Sequence, residues 1–148
     1  MFALRNVANL VPPFDDGGGI HGASAAIEFG VTGLDVSHLV VMGYGPCGGI
    51  SAALKGEDLG TKGHSFIDQW MGIISDAKER VLAKSSVDPQ RDLELEAIRT
   101  SLRNLRTFPF IVEREKRGKL KLHGAWYAIG EAKLFTLDET SGEFSAVE

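Results

Sequence analysis

A chain of 148 residues with 43% hydrophobic and 24% charged residues is long enough to bury one core without staples, and nothing in its length calls for a second domain. Its formal charge of -4 argues against a general attraction to nucleic acid or to anionic membrane. The single cysteine, Cys47, excludes an internal disulfide framework, and no apolar run approaches the ~18 residues of a membrane span. With no basic segment leading into an apolar stretch, the expectation is one cytoplasmic domain over residues 1–148.

Along the chain, the apolar run Phe2 to Val11 ends at Pro12-Pro13 and reads as a strand leaving a sheet. A glycine loop, Gly17-Gly18-Gly19, follows. Ala23, Ala26, Ile27 and Val31 then recur at helical spacing up to Gly33. Val36 to Met42 is a compact β-branched run of buried-strand type. Ile50 to Leu54 is a brief helix, and Phe66, Ile67, Trp70, Ile73, Ile74, Ala77 and Val81 trace one face of a longer one. Asp88-Pro89 supplies a cap and a first-turn proline for a helix whose buried stripe is Leu95, Ile98, Leu102 and Leu105. Beyond Pro109 the pattern turns to strands at Phe110 to Val112, Leu120 to Ile129 and Leu134 to Leu137, while the charged run Glu113 to Lys121 reads as a solvated turn.

Chemistry concentrates at Gly43-Tyr44-Gly45-Pro46-Cys47-Gly48-Gly49, a thiol on a glycine-lined turn between a buried strand and a helix. Open α/β sheets bind ligands at such strand ends, where glycines let the backbone approach a small molecule and a helix N-terminus favours an anion. Taken alone, a lone cysteine there is also an ordinary small core residue. The pattern Gly45-Pro46-Cys47-Gly48-Gly49 also fits a nucleophile elbow with cysteine in place of serine, for which Asp68 and His123 follow in the order a cysteine hydrolase needs. The Gly17-Gly18-Gly19 loop lacks the lysine and Ser/Thr of a phosphate-binding loop and reads as a connection.

In context, the chain resembles the β-class carbonic anhydrases. Arg5-Asn6-Val7-Ala8-Asn9 is similar to the family's second-strand signature, and Gly17 to Phe29 to the glycine-rich loop and helix that follow it. Cys47-Gly48-Gly49-Ile50 resembles the segment with the last zinc ligand. Asn104 to Phe110 and Leu122 to Tyr127 resemble the final helix-to-strand passage and the next strand. The resemblance implies an α/β fold with a mostly parallel sheet flanked by helices, assembled as a homo-oligomer, dimer or tetramer. It implies reversible hydration of carbon dioxide to bicarbonate on a zinc ion held by cysteine, histidine and cysteine, the metal lowering the pKa of its bound water. Arg5 and Tyr127 resemble positions of a bicarbonate effector site in some members.

Two departures set the expectation for this chain. The family's Cys-x-Asp-Ser-Arg stretch, with the first ligand and the family's central strand, would precede Arg5-Asn6 and is not in the sequence. The histidine expected three residues before Cys47 is Tyr44. Phenols titrate near 10, so supplying a phenolate at neutral pH costs about 4 kcal/mol unless the metal offsets it. Cys47 is thus the one family ligand retained, Tyr44 stands at the second ligand position, and catalytic zinc sites use three protein ligands. His21, His38, His64 and His123 show no paired spacing, and none is assigned to metal. The expectation is a non-catalytic family member, a pseudoenzyme with little or no hydratase activity. The alternative is an active zinc enzyme completed by upstream residues or another subunit, and less favoured is the cysteine hydrolase with Cys47 as nucleophile.

Overall fold

A computed structural model describes residues 1–57 and 65–147. The N-terminal stretch runs without a ladder through a 3-10 turn at Val7–Asn9. Helix α1, Gly22–Glu28, passes into a wider π turn at Phe29–Gly33 and leads to strand β1, His38–Gly45. Helices α2, Gly48–Lys55, α3, Phe66–Met71, α4, Ser75–Ala83, α5, Pro89–Leu105, and α6, Pro109–Lys116, come next. Strands β2, Lys121–Ala128, β3, Lys133–Asp138, and β4, Glu143–Ala146, close the chain.

The sheet has the order β1-β2-β3-β4. Strands β1 and β2 are parallel, with Val41 opposite Gly124 and Tyr44 opposite Tyr127. The α/β class and the helix-flanked sheet are as expected, but strand direction corrects the mostly parallel sheet: β2–β3 and β3–β4 pair antiparallel. Their links, 129–132 and 139–142, are short, and short links permit only hairpins, whereas parallel neighbours need a crossover of a dozen or more residues.

Helix α5 organises the interior. Asp88 caps it by accepting the Arg91 N–H at 3.0 Å, and Pro89 occupies its first turn. Its buried face is Leu93, Ala97, Ile98, Leu102 and Leu105 rather than a stripe beginning at Leu95. The sheet admits this helix because it is smooth beneath it: a Cβ on Gly43 would lie 3.0 Å from Ile98 Cδ1, and one on Gly124 would lie 3.0 Å from Ile98 Cγ2. Side chains on β1 therefore divide sharply by face. Val41, Gly43 and Gly45 are buried under α5, while Val40 and Met42, each 54% exposed, and Tyr44, 49% exposed, point away from it.

Several local expectations change. Phe2 to Val11 is not a strand and does not pair with β1; isolated extended chain has no ladder to satisfy it. Side chains of α5 hold its second half instead: Ser101 Oγ accepts from Val11 N–H at 3.1 Å and donates to the Asn9 carbonyl at 3.0 Å, and Asn104 Nδ2 donates to the Val11 carbonyl at 2.8 Å. Ala8 and Asn9 both take left-handed backbone angles, φ 60° and 50°, which no strand accommodates. Phe110 to Val112 is helical, because Pro109 starts a helix at its first position and cannot donate to a sheet. The long helix from Phe66 to Val81 is broken by a 3-10 turn at Gly72–Ile74, where glycine has weak helix propensity. The charged run begins as the end of α6, with Arg114 paired to Asp35 and Arg117 to Glu113, and turns at Gly118, φ 66°. At the far end of α5, Arg106 grips Glu115 at 3.0 Å and Glu139 at 2.8 Å, tying α6 and the β3–β4 turn to the helix. The Arg106 hydrogen bond keeps the Glu139 carboxyl below the usual carboxylate range, and the same two carboxylates raise the Arg106 guanidinium.

Candidate functional site

Cys47 lies just past the C-terminal end of β1, after a cis Gly45-Pro46 bond, as the residue that caps α2. Its carbonyl accepts from Ser51 N–H at 3.0 Å, so the helix starts directly at the thiol-bearing residue. The side chain is 5% exposed and packs in an apolar cluster with Ala8, Leu10, Ile50 and Met71. Trp70 borders that cluster and donates its indole N–H to the Val7 carbonyl at 2.9 Å, whereas Phe66 is 90% exposed and stands outside it.

A buried carboxylate fixes this corner. Glu94, on α5 and 3% exposed, accepts from the Cys47 backbone N–H at 2.8 Å, from Gln90 Nε2 at 2.7 Å and from the Trp126 indole N–H at 3.1 Å. Gln90 Nε2 also donates to the Cys47 carbonyl at 3.0 Å. One loop residue is thereby held through both its backbone polar groups by a single helical turn, and the same carboxylate locks the indole of β2. All three partners are donors, which suits an acceptor-only carboxylate. Gly45 leaves the room: a Cβ there would run into the Glu94 carboxylate and the Trp126 ring. Beside the network opens a cavity of about 210 Å³ lined by Pro46, Gln90, Arg91, Glu94, Trp126 and Glu131, with the Arg91 guanidinium 4.6 Å above the Trp126 ring.

Glu94 was not among the residues singled out from sequence. Its signal is a glutamate four residues before Ile98, at a position on the buried stripe where an apolar side chain belongs, with Gln90 one turn earlier.

The residues singled out from sequence fall in different places. Tyr44 lies on the face of β1 directed away from α5, beside Tyr127 on β2, and Cys47 is buried beyond the strand end. The hydrolase arrangement does not assemble: His123 stands opposite Val40, five residues before the end of β1 and so roughly 16 Å along the strand from the Cys47 corner. His123 instead meets His38, the two ring nitrogens 2.9 Å apart. His21 lies 4.0 Å from Asp15, and Asp15 also accepts the Gly17 N–H at 2.8 Å, consistent with a folded connection in the glycine loop. His64 lies outside the described residues. Among the described residues no three His, Cys, Asp or Glu side chains converge as a metal-binding group, and no helix is long and apolar enough to cross a membrane.

The sequence profile of the carbonic anhydrases matches residues 1–134. The mitochondrial beta carbonic anhydrase 6 of Arabidopsis thaliana is 39% identical over 137 residues, which is 90% of this chain and 47% of that protein. The chloroplastic beta carbonic anhydrase 5 of the same plant is 41% identical over 130 residues, 85% of this chain and 42% of that protein. The chain thus spans about half the length of the curated relatives it matches. In fold it is similar to the beta-carbonic anhydrase CcaA, with a TM-score of 0.87 and 30% identity over 99% of this chain and 66% of that one. It is also similar to a tetrameric beta-carbonic anhydrase of Sordaria macrospora, with a TM-score of 0.73 and 26% identity over 98% of this chain and 70% of that one. A profile match across most of the sequence, close relatives in plants and the same helix-flanked sheet place this chain in the β-class carbonic anhydrase family.

Proposed function

We propose that this chain is a family member that keeps the β-carbonic anhydrase scaffold while having little or no carbon dioxide hydratase activity of its own. The observation that carries this reading is the donor set around Cys47. The family's zinc chemistry needs several fixed protein donors, three in catalytic sites. Here Cys47 is buried, 5% exposed, within an apolar cluster, and the nearest expected ligand position carries the half-exposed phenol of Tyr44. One cysteine and one phenol do not fit the ion as a catalytic site. Zinc content per chain and stopped-flow carbon dioxide hydration test the reading. The expected result is far less than one zinc per chain and hydration at the buffer rate; stoichiometric zinc with fast turnover would reverse it.

A second reading is favoured by two open features. Strand β1 lies at the sheet edge with Val40, Met42 and Tyr44 exposed, and Asn9 Nδ2 is a buried donor without an acceptor among the described residues. Both would be relieved by further backbone laid against β1, from upstream residues or from another subunit, and such an addition would also bring new donors toward Cys47. In this reading the chain is active only as part of an assembled homo-oligomer, dimer or tetramer, in keeping with the tetrameric Sordaria relative. Light scattering combined with zinc analysis separates the two: zinc confined to the oligomeric fraction supports the second. A cytoplasmic location belongs to the same proposal, and because two Arabidopsis relatives carry organellar names, cell fractionation decides it.

A further inference from the structure

His38 and His123 are 85 residues apart in sequence, yet their side chains share one face of the sheet. In the parallel β1–β2 register His38 lies opposite Lys121 and Val40 opposite His123, so the two histidines are diagonal neighbours. Both are exposed. His38 Nδ1 and His123 Nε2 are 2.9 Å apart, with ring centroids separated by 5.1 Å and planes inclined by 28°. An imidazole nitrogen lies about 1.1 Å from its ring centre by ordinary ring geometry, so that separation means the rings meet tip to tip. One nitrogen donates to the lone pair of the other.

We infer that His38 and His123 form a two-imidazole site for a divalent transition metal of tetragonal preference, Cu²⁺ or Ni²⁺. Metal–imidazole bonds of about 2.05 Å put two ligands at a right angle roughly 2.9 Å apart, and at the tetrahedral angle roughly 3.3 Å apart. The observed separation is that of a hydrogen bond and lies within the span of either pair, so only the rings need turn, and imidazole donors suit Cu²⁺ and Ni²⁺. Binding replaces the bridging proton by the ion and asks the exposed rings to turn their lone pairs toward a common point. The strands that carry them need not move. Two ligands fixed on neighbouring hydrogen-bonded strands also gain the chelate advantage of a second site already in place. Water completes the coordination sphere, since no third His, Cys, Asp or Glu converges there among the described residues. The local field holds both signs: Lys121 stands opposite His38 in register, and the Glu139 carboxylate is near enough to interact with His123. The site is separate from the Cys47 corner and does not rest on the functional reading above.

Titration of tag-free full chain with Ni²⁺ at neutral pH, followed by calorimetry, tests the inference. One Ni²⁺ per chain is expected in the wild type, with the dissociation constant rising about 10- to 100-fold in His38→Ala and in His123→Ala. His123→Gln, which keeps a hydrogen-bonding partner for His38 and guards against a folding artefact, is expected to show the same loss. His21→Ala should bind as the wild type does. Retention of wild-type affinity in both His38 and His123 variants, or its loss in His21→Ala alone, would overturn the assignment, as would the absence of any Ni²⁺ uptake by the wild type.

Discussion

Replacing Glu94 with glutamine changes one acceptor oxygen into an amide NH2 donor without altering the shape of the side chain. The retained oxygen can still take the Cys47 N–H and Gln90 Nε2, the two donors on Glu94 Oε1, and the new amide NH2 then faces the Trp126 indole N–H. Two donors are left pointing at each other in a place where Trp126 is 4% exposed and has little access to water. An unsatisfied buried donor costs about 1–3 kcal/mol, and near 2 kcal/mol a domain of this size should melt about 4–8 °C lower. Glu94→Ala goes further: it strands both the Cys47 and the Trp126 N–H groups, a loss of about 2–6 kcal/mol less whatever a water entering the adjacent 210 Å³ cavity restores. Thermal unfolding followed by circular dichroism reads the first quantity. The second readout is Cys47 labelling under native conditions, because a thiol 5% exposed reacts only when its loop opens. If the carboxylate is what holds the loop, a 2 kcal/mol loss spent on opening should speed labelling about 30-fold. Two variants within about 0.5 kcal/mol of wild type, the range of neutral surface changes, with unaltered labelling, would refute the assignment of Glu94 as the anchor of this corner.

Two further outcomes follow from the same packing. Gly45→Ala places a methyl group against the Glu94 carboxylate and the Trp126 ring, so a destabilisation of about 1–3 kcal/mol is expected in chemical denaturation, whereas Gly48→Ala, whose Cβ meets nothing within 4 Å among the described residues, should cost far less. Glu139 is held below its ordinary carboxylate range, first by its hydrogen bond from Arg106. As pH falls, the unfolded chain takes up this proton before the folded one does. Its stabilisation is therefore complete above the ordinary glutamate range and is lost as pH drops through the lower folded value. Melting temperature measured between about pH 6 and pH 3 should fall less steeply in Glu139→Gln than in wild type, and parallel curves would remove Glu139 from the acid response.

What the sequence made legible, and what it hid, divides along the reach of the interactions. Helix α5 and its Asp88-Pro89 start were readable because capping and first-turn proline act over a few residues. Strands β1 and β2 were readable as apolar runs between glycine turns. The stretch Phe2 to Val11 is not legible in this way, because an apolar run says nothing about whether a neighbouring strand exists; the conformation of its second half is set by Ser101 and Asn104, some ninety residues on. At Phe110 to Val112 the proline before them outweighs three bulky apolar residues and starts a helix. Strand β4 is four residues long, with two apolar positions, Phe144 and Ala146, and is too short to leave a clear periodic signal.

At the candidate site the same division appears. The placing of Cys47 at a strand end could be read from its glycines. Glu94 leaves only its place on the buried stripe as a signal, because glutamate on a helix is usually solvated and only the three donors from Cys47 before α2, from α5 and from β2 make its burial tolerable. The meeting of His38 with His123 depends on the register of two parallel strands, a quantity no local pattern encodes.

Scaffold and metal chemistry have separate physical supports in this family member. The Cys47 loop is fixed by its own backbone groups, through Glu94 and Gln90, and not through its sulfur. The sheet is fixed by the close seating of α5 over Gly43 and Gly124. Neither support involves Tyr44, which stands on the opposite face of β1 from that helix. Substitution at position 44 therefore leaves every one of those contacts intact. Tyr44→His should accordingly leave the melting temperature near that of wild type, and zinc gained by the variant tests the expectation that position 44 is a ligand position. A large loss of stability in Tyr44→His would show that the phenol is part of the packing after all and that the two supports are coupled.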